Sequence, residues 1–147
     1  MNDIFVLDTA PLGLVTNPKQ SGENLDCYRW LEKRIDGGSR VIVPEIADYE
    51  VRRELLRADK VQGLRRLDLI ISALEYLPIT TEAMKQAALF WAEARKSGRP
   101  TAKNEALDGD VILAAQAMTF SDQEVIVVTT NVEHLARFVT AKRWQEL

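Results

Sequence analysis

The sequence predicts an α/β domain with a central, mainly parallel sheet flanked by helices. Three observations predict it. Ile-Phe-Val-Leu at 4–7, Val-Ile-Val at 41–43 and Val-Ile-Val-Val at 125–128 are short, continuous apolar runs, which suit strands covered on both faces. Helix-period patterns lie between the runs, as strand–helix alternation requires. The 147 residues, 46% of them apolar and 28% charged, suffice for one domain around one core, taken here as residues 1–147.

In chain order, the first run ends at Asp8. Leu25, Tyr28, Leu31 and Ile35, with Trp30, form an apolar stripe that stops at Gly37 and Gly38, a helix end. The second run ends at Pro44. Residues 45–60 read as a charged helix with Ile46, Tyr49 and Leu56 near one face. Gly63 separates it from a helix carrying Leu64, Leu67, Ile70, Ile71 and Leu74. Residues 75–79 give a weaker strand broken by Pro78, which places it at a sheet edge. Met84, Ala87, Ala88 and Trp91 recur at helical spacing over 82–96, and Trp30 and Trp91 read as core residues. Residues 97–100 read as a loop. Asp110 opens a further helix with Val111, Ala114, Ala115 and Met118 on its apolar face, and Asp108 is a candidate N-cap. The third run ends at Thr129, Thr130 and Asn131, before a short helix containing His134. The tail 139–147 adds a short strand, with Trp144 packing on the body.

Composition excludes several classes. No run of 18 apolar residues is present, so no membrane span is expected. The start lacks a secretory pattern, which makes the cytoplasm the expected compartment. Cys27 and His134 are the only cysteine and histidine, too few for a structural zinc site. Nineteen basic against twenty-two acidic residues, a formal charge of −3, disfavours binding nucleic acid mainly by neutralising phosphates. A centre that meets phosphate through a bridging metal ion stays open, because it needs local carboxylates.

In an open α/β sheet, ligands bind beyond the carboxyl ends of the strands. Asp8 and Asn131 follow the first and last runs. Glu50 lies seven residues past Val43, about two helical turns on. With Asp110, residues remote in sequence can gather at one sheet edge. Two like charges about 4 Å apart repel by about 4 kcal/mol at an effective dielectric near 20. A divalent cation removes that repulsion, and Mg²⁺ takes one or two carboxylates plus substrate phosphate. The chemistry indicated is metal-assisted phosphodiester hydrolysis.

Residues 6–10 (Val-Leu-Asp-Thr-Ala), 44–50 (Pro-Glu-Ile-Ala-Asp-Tyr-Glu), 110–117 (Asp-Val-Ile-Leu-Ala-Ala-Gln-Ala) and 128–131 (Val-Thr-Thr-Asn) resemble, in order and spacing, the motifs of the PIN-domain nucleases, particularly the VapC-like toxins of toxin–antitoxin pairs. The resemblance implies a Mg²⁺- or Mn²⁺-dependent endoribonuclease acting on RNA, usually a homodimer, and often held inactive by a cognate antitoxin. It implies that Asp8, Glu50 and Asp110 are the catalytic acids and metal ligands. Asn131 falls where the family often has a further Asp, which leaves a second metal position open, with Glu133 and Asp108 as substitutes.

Other readings stand beside these. Asp8 alone is good turn or cap chemistry. Glu54 is the alternative to Glu50. The arginines and lysines of 52–66 read first as a solvated face with intrahelical ion pairs, and second as an RNA or antitoxin surface. Arg95, Lys96, Arg99 and Lys103 surround the loop before Asp110. His134 is a candidate acid or base, though metal-activated water does not require it. Cys27 reads as a small buried hydrophobe. A haloacid-dehalogenase-type phosphatase would want a second Asp at the position of Ala10. A non-catalytic PIN-like RNA- or protein-binding module is the remaining alternative. Helix faces near 64–74 or 25–35 are the candidates for dimerisation.

Overall fold

The computed structural model describes residues 3–97, 104–120 and 124–147, the side chains of 104–106 excepted. Among them, β1 (Ile4–Leu7) is the central strand of a five-stranded sheet with β2 (Arg40–Pro44), β3 (Glu75–Leu77), β4 (Val125–Val128) and β5 (Ala141–Lys142). The strand order is β3-β2-β1-β4-β5, and every neighbouring pair is parallel. The expected edge strand is β3, which ends before Pro78, and the expected tail strand is β5.

Two covered faces explain why the strand runs are continuous rather than alternating. Ile4, Val6, Ile42 and Val127 turn to one face, against α5 (Thr81–Lys96) and α6 (Asn104–Ala117). Phe5, Leu7, Val41, Val43, Ile126 and Val128 turn to the other. There they meet α1 (Thr9–Thr16), α2 (Gly22–Asp36), α3 (Glu45–Arg57) and α4 (Val61–Ala73). A short α7 (Val132–Leu135) follows β4. Trp30 and Trp144 are buried in the second cluster, with Cys27. Burial pushes the Cys27 thiol up to about 12, so it is inert packing, as its sequence context suggested.

Two polar linkages tie α3 to α6 and to the edge strand β3. Gln116 of α6 is fully buried. Its Oε1 accepts the Ile46 N–H at 3.2 Å and its Nε2 donates to the Leu77 carbonyl at 2.8 Å. The Tyr76 hydroxyl donates to Asp48 at 2.8 Å, and Arg52 joins Asp48 at 3.0 Å and Asp68 at 2.8 Å. The chain leaves α2 through Gly38, whose φ of +85° is the left-handed conformation that favours glycine.

Three expectations are corrected, and one helix comes without an expectation. Residues 9–16 form a helix, α1, which carries no strong apolar period. Pro11 sits in its first turn, where a missing N–H is no loss. Helix α6 begins at Asn104, so Asp108 and Asp110 lie within it rather than at its start, and Asp108 is no N-cap. The buried face of α5 is Ala83, Ala87, Phe90 and Ala94. Met84, Ala88 and Trp91 run parallel to that face at the same 4-3 spacing, but Met84 and Trp91 are exposed, Trp91 by 39%, and of the expected set Ala87 belongs to the buried face. On α3, Ile46 is buried while Tyr49 and Leu56 are exposed, because Ala47 and Val51 supply the rest of the packed face. The loop expected over 97–100 lies outside the described residues beyond Ser97, as do Arg99 and Lys103.

Candidate active site

The strand order reverses between β1 and β4: the chain runs outward from β1 through β2 to β3, then returns to lay β4 on β1's other side. That reversal opens a crevice at the carboxyl ends of β1 and β4. Asp8 stands at its floor. Its backbone N–H donates to the Val128 carbonyl at 2.9 Å, which ties it to β4. Its Oδ1 accepts the Thr9 N–H at 2.7 Å, capping α1. Its Oδ2 accepts the Thr129 hydroxyl at 2.7 Å, and Thr129 Oγ1 accepts the Asn131 N–H at 2.9 Å. Both carboxylate oxygens are therefore oriented. Asp8 is 8% exposed, and burial raises its pKa above the usual aspartate range, opposed by the hydrogen bonds from Thr129 and Thr9.

Glu50 projects from α3 towards the same crevice. Its Oε1 accepts the Thr9 hydroxyl at 2.7 Å, and its Oε2 lies 3.6 Å from the Arg53 guanidinium. Thr9 thus bridges the first two acids, by its N–H to Asp8 and its hydroxyl to Glu50. Asp110 arrives from the middle of α6. Burial pushes its carboxyl up to about 7, reinforced by the negative charges of Asp8 and then Glu50, with Arg137 opposing. His134 of α7 places Nδ1 3.8 Å from Asp110 Oδ2.

Asp8, Glu50 and Asp110 stand within electrostatic range of one another. Glu54, the alternative to Glu50, is exposed and paired with Arg57 at 2.7 Å. The Asn131 side chain is exposed and forms no cap bond; its backbone N–H, through Thr129, is what reaches Asp8. Glu133 is exposed. Asp108 is exposed and lines a separate groove of about 410 Å³ between α5 and α6 with Met84, Trp91 and Ile112. The ion-pair reading of the basic stretch holds for Arg52 and Arg57, while Arg66 donates to the Val15 carbonyl at 2.9 Å. It holds for Arg53 too, whose i,i+3 partner is the site acid Glu50.

Sequence reasoning missed Thr9 and Thr129 as participants. Each was visible as a hydroxyl beside a strand-end acid or strand end, but nothing in the sequence shows which carboxylate a threonine will meet.

The donor set is all oxygen and hard, and the three carboxylates repel one another. That chemistry fits Mg²⁺ or Mn²⁺. Among the described residues, no three His, Cys, Asp or Glu side chains stand close enough to grip one ion together. The acids meet at electrostatic rather than coordination range, which suits an ion that keeps several waters. A larger groove of about 1010 Å³ opens from Thr9 and Glu50 along Gly13 and Asn17 to Lys60 and Gly63 at the start of α4. No helix among the described residues is long and apolar enough to cross a membrane.

The PIN domain family model matches residues 6–138. No curated protein matches. Solved structures share the fold. VapBC2 from Rickettsia felis bound to a DNA fragment from their promoter is 19% identical, with 96% of this chain and 98% of that chain covered and a TM-score of 0.72. VapBC-1 from nontypeable Haemophilus influenzae is 17% identical over 97% and 98%, with a TM-score of 0.67. DNA-bound VapBC from Salmonella typhimurium is 24% identical over 98% and 99%, also with a TM-score of 0.67.

Proposed function

The chain belongs to the PIN domain family, and from that premise we propose that it is a divalent-metal-dependent endoribonuclease, the toxin of a toxin–antitoxin pair. The observation that carries the reading is the convergence of Asp8, Glu50 and Asp110, from three separate segments, on one crevice at the sheet's reversal point.

Asp8 and Asp110 are the direct ligands in this reading, with Glu50 as the third acid, directly or through water. Bound Mg²⁺ or Mn²⁺ would supply an acidified water and offset the charge that builds on the phosphoryl group. The chain's own part is positioning. Thr129 and the Thr9 N–H aim the two oxygens of Asp8; the Thr9 hydroxyl aims Glu50. Burial pushes the Asp110 carboxyl up to about 7, and a cation held there would favour its ionised form. Among the described residues, Arg53 and Arg137 stand beside the acids, placed to temper the repulsion that an RNA phosphate meets there.

The solved relatives are VapBC2, VapBC-1 and VapBC, two of them bound to DNA. We extend to this chain a cognate antitoxin partner and a homodimeric state, in the cytoplasm. Purified protein is expected to cleave RNA with Mg²⁺ or Mn²⁺ and to stop with EDTA. Asp8→Asn is expected to fold and not cleave. RNA binding without cleavage, indifferent to EDTA and to Asp8→Asn, would instead establish the non-catalytic module.

A further inference from the structure

We propose that Gly109 is a positioning residue for Glu50, the absent side chain leaving the notch in α6 that receives the Glu50 carboxylate; this rests on the nuclease reading above. A Cβ at Gly109 would stand 2.8 Å from Glu50 Oε2 and 3.4 Å from its Cδ and Oε1. The first distance is well inside the usual carbon contact separation. The other carboxylate oxygen, Oε1, is held by the Thr9 hydroxyl at 2.7 Å. The carboxylate is therefore threaded between two helices. A hydroxyl of α1 fixes one oxygen, and the missing methyl of α6 admits the other.

No backbone requirement explains this glycine. Gly109 lies in the interior of a 14-residue helix, where glycine is unfavourable, and its φ is not among the positive ones. The comparison with Gly63 is instructive. A Cβ there would meet Leu55 Cδ2 at 2.8 Å, an apolar contact that lets α3 and α4 approach. At Gly109 the close neighbour is a carboxylate beside the next residue's acid, Asp110. The atom in the way ends a flexible side chain. The fold can absorb a methyl by swinging Glu50 aside, and the acid centre cannot.

The test is Gly109→Ala in the full-length protein, in the wild-type and Glu50→Ala backgrounds. Melting is measured in EDTA, Mn²⁺ affinity by calorimetry, and cleavage on RNA. In the wild-type background, the substitution is expected to leave Tm unchanged or higher and to lower Mn²⁺ affinity and cleavage by roughly tenfold or more. In the Glu50→Ala background, it is expected to raise Tm by a few degrees and leave Mn²⁺ affinity unchanged. Wild-type Mn²⁺ affinity in Gly109→Ala would overturn the proposal. So would an equal loss in both backgrounds, which marks a general effect on α6, and so would a variant that fails to fold. If the unmutated protein neither binds Mn²⁺ nor cleaves RNA, the nuclease reading fails by itself. The notch is then judged by melting alone: Gly109→Ala must stabilise the Glu50→Ala protein more than the wild type.

Discussion

Neutralising Asp110 should make the protein more stable while removing its activity. Asp110 is raised from an ordinary 3.8 to about 7 by burial, with Asp8 and Glu50 adding to it. Between those values the folded chain holds a proton that the unfolded chain has lost. Stability therefore falls as pH rises through that window, and the loss is complete above about 7. At about 1.4 kcal/mol per pH unit the full penalty is about 4 kcal/mol. The Asp110 side chain keeps 13% of its surface exposed, and we take roughly half, about 2 kcal/mol, after solvent screening. Asp110→Asn should remove it, raising Tm at pH 8 by roughly 6 °C for a chain of this size. The assay is thermal melting of both proteins in EDTA from pH 5 to pH 8. The gap between the two curves should be smaller at pH 5 and widen as pH rises. A wild-type Tm that is flat or climbs across this range, or an Asp110→Asn protein no more stable at pH 8, would refute the electrostatic reasoning.

Thr129→Val should leave the fold intact and lower Mn²⁺ affinity, measured by calorimetry, roughly tenfold, because Asp8 loses the hydroxyl that orients Oδ2. Acidification from pH 8 to pH 6 should weaken Mg²⁺ or Mn²⁺ binding and slow cleavage, since Asp110 must lose its proton to act as a ligand; a pH profile of initial rates checks this. Gln116→Leu leaves the Ile46 N–H and the Leu77 carbonyl without their buried partner. It should cost about 2 kcal/mol in urea unfolding without touching the carboxylates.

The sheet was legible because its strands are buried on both faces and so stand out as apolar runs. Asp8 was legible as a strand-end acid, whereas Glu50 and Asp110 were picked out by the register of the PIN-like motifs. Helix α1 was not legible, since Pro11 and Gly13 break its pattern even though Leu12 and Val15 are buried in the core. The phase of α5 was ambiguous because two apolar sets share one spacing, and only packing against Phe138 and the sheet selects Phe90 over Trp91. The start of α6 was misplaced because Asp110 looks like a first-turn acid. In the fold it is mid-helix, where the macrodipole offers it little, and the neighbouring carboxylates offer it repulsion. The roles of Thr9, Thr129 and Gly109 depend on contacts between segments 41 to 121 residues apart, which no local pattern encodes.

The central claim is that Asp8, Glu50 and Asp110 share one hard cation. Anomalous diffraction from crystals grown with Mn²⁺ tests it most directly. We predict a metal peak in the crevice between Asp8 and Asp110, with Glu50 reaching it directly or through one water. An empty crevice in crystals of protein that cleaves RNA in the same Mn²⁺ buffer, or a peak ligated elsewhere, would contradict it.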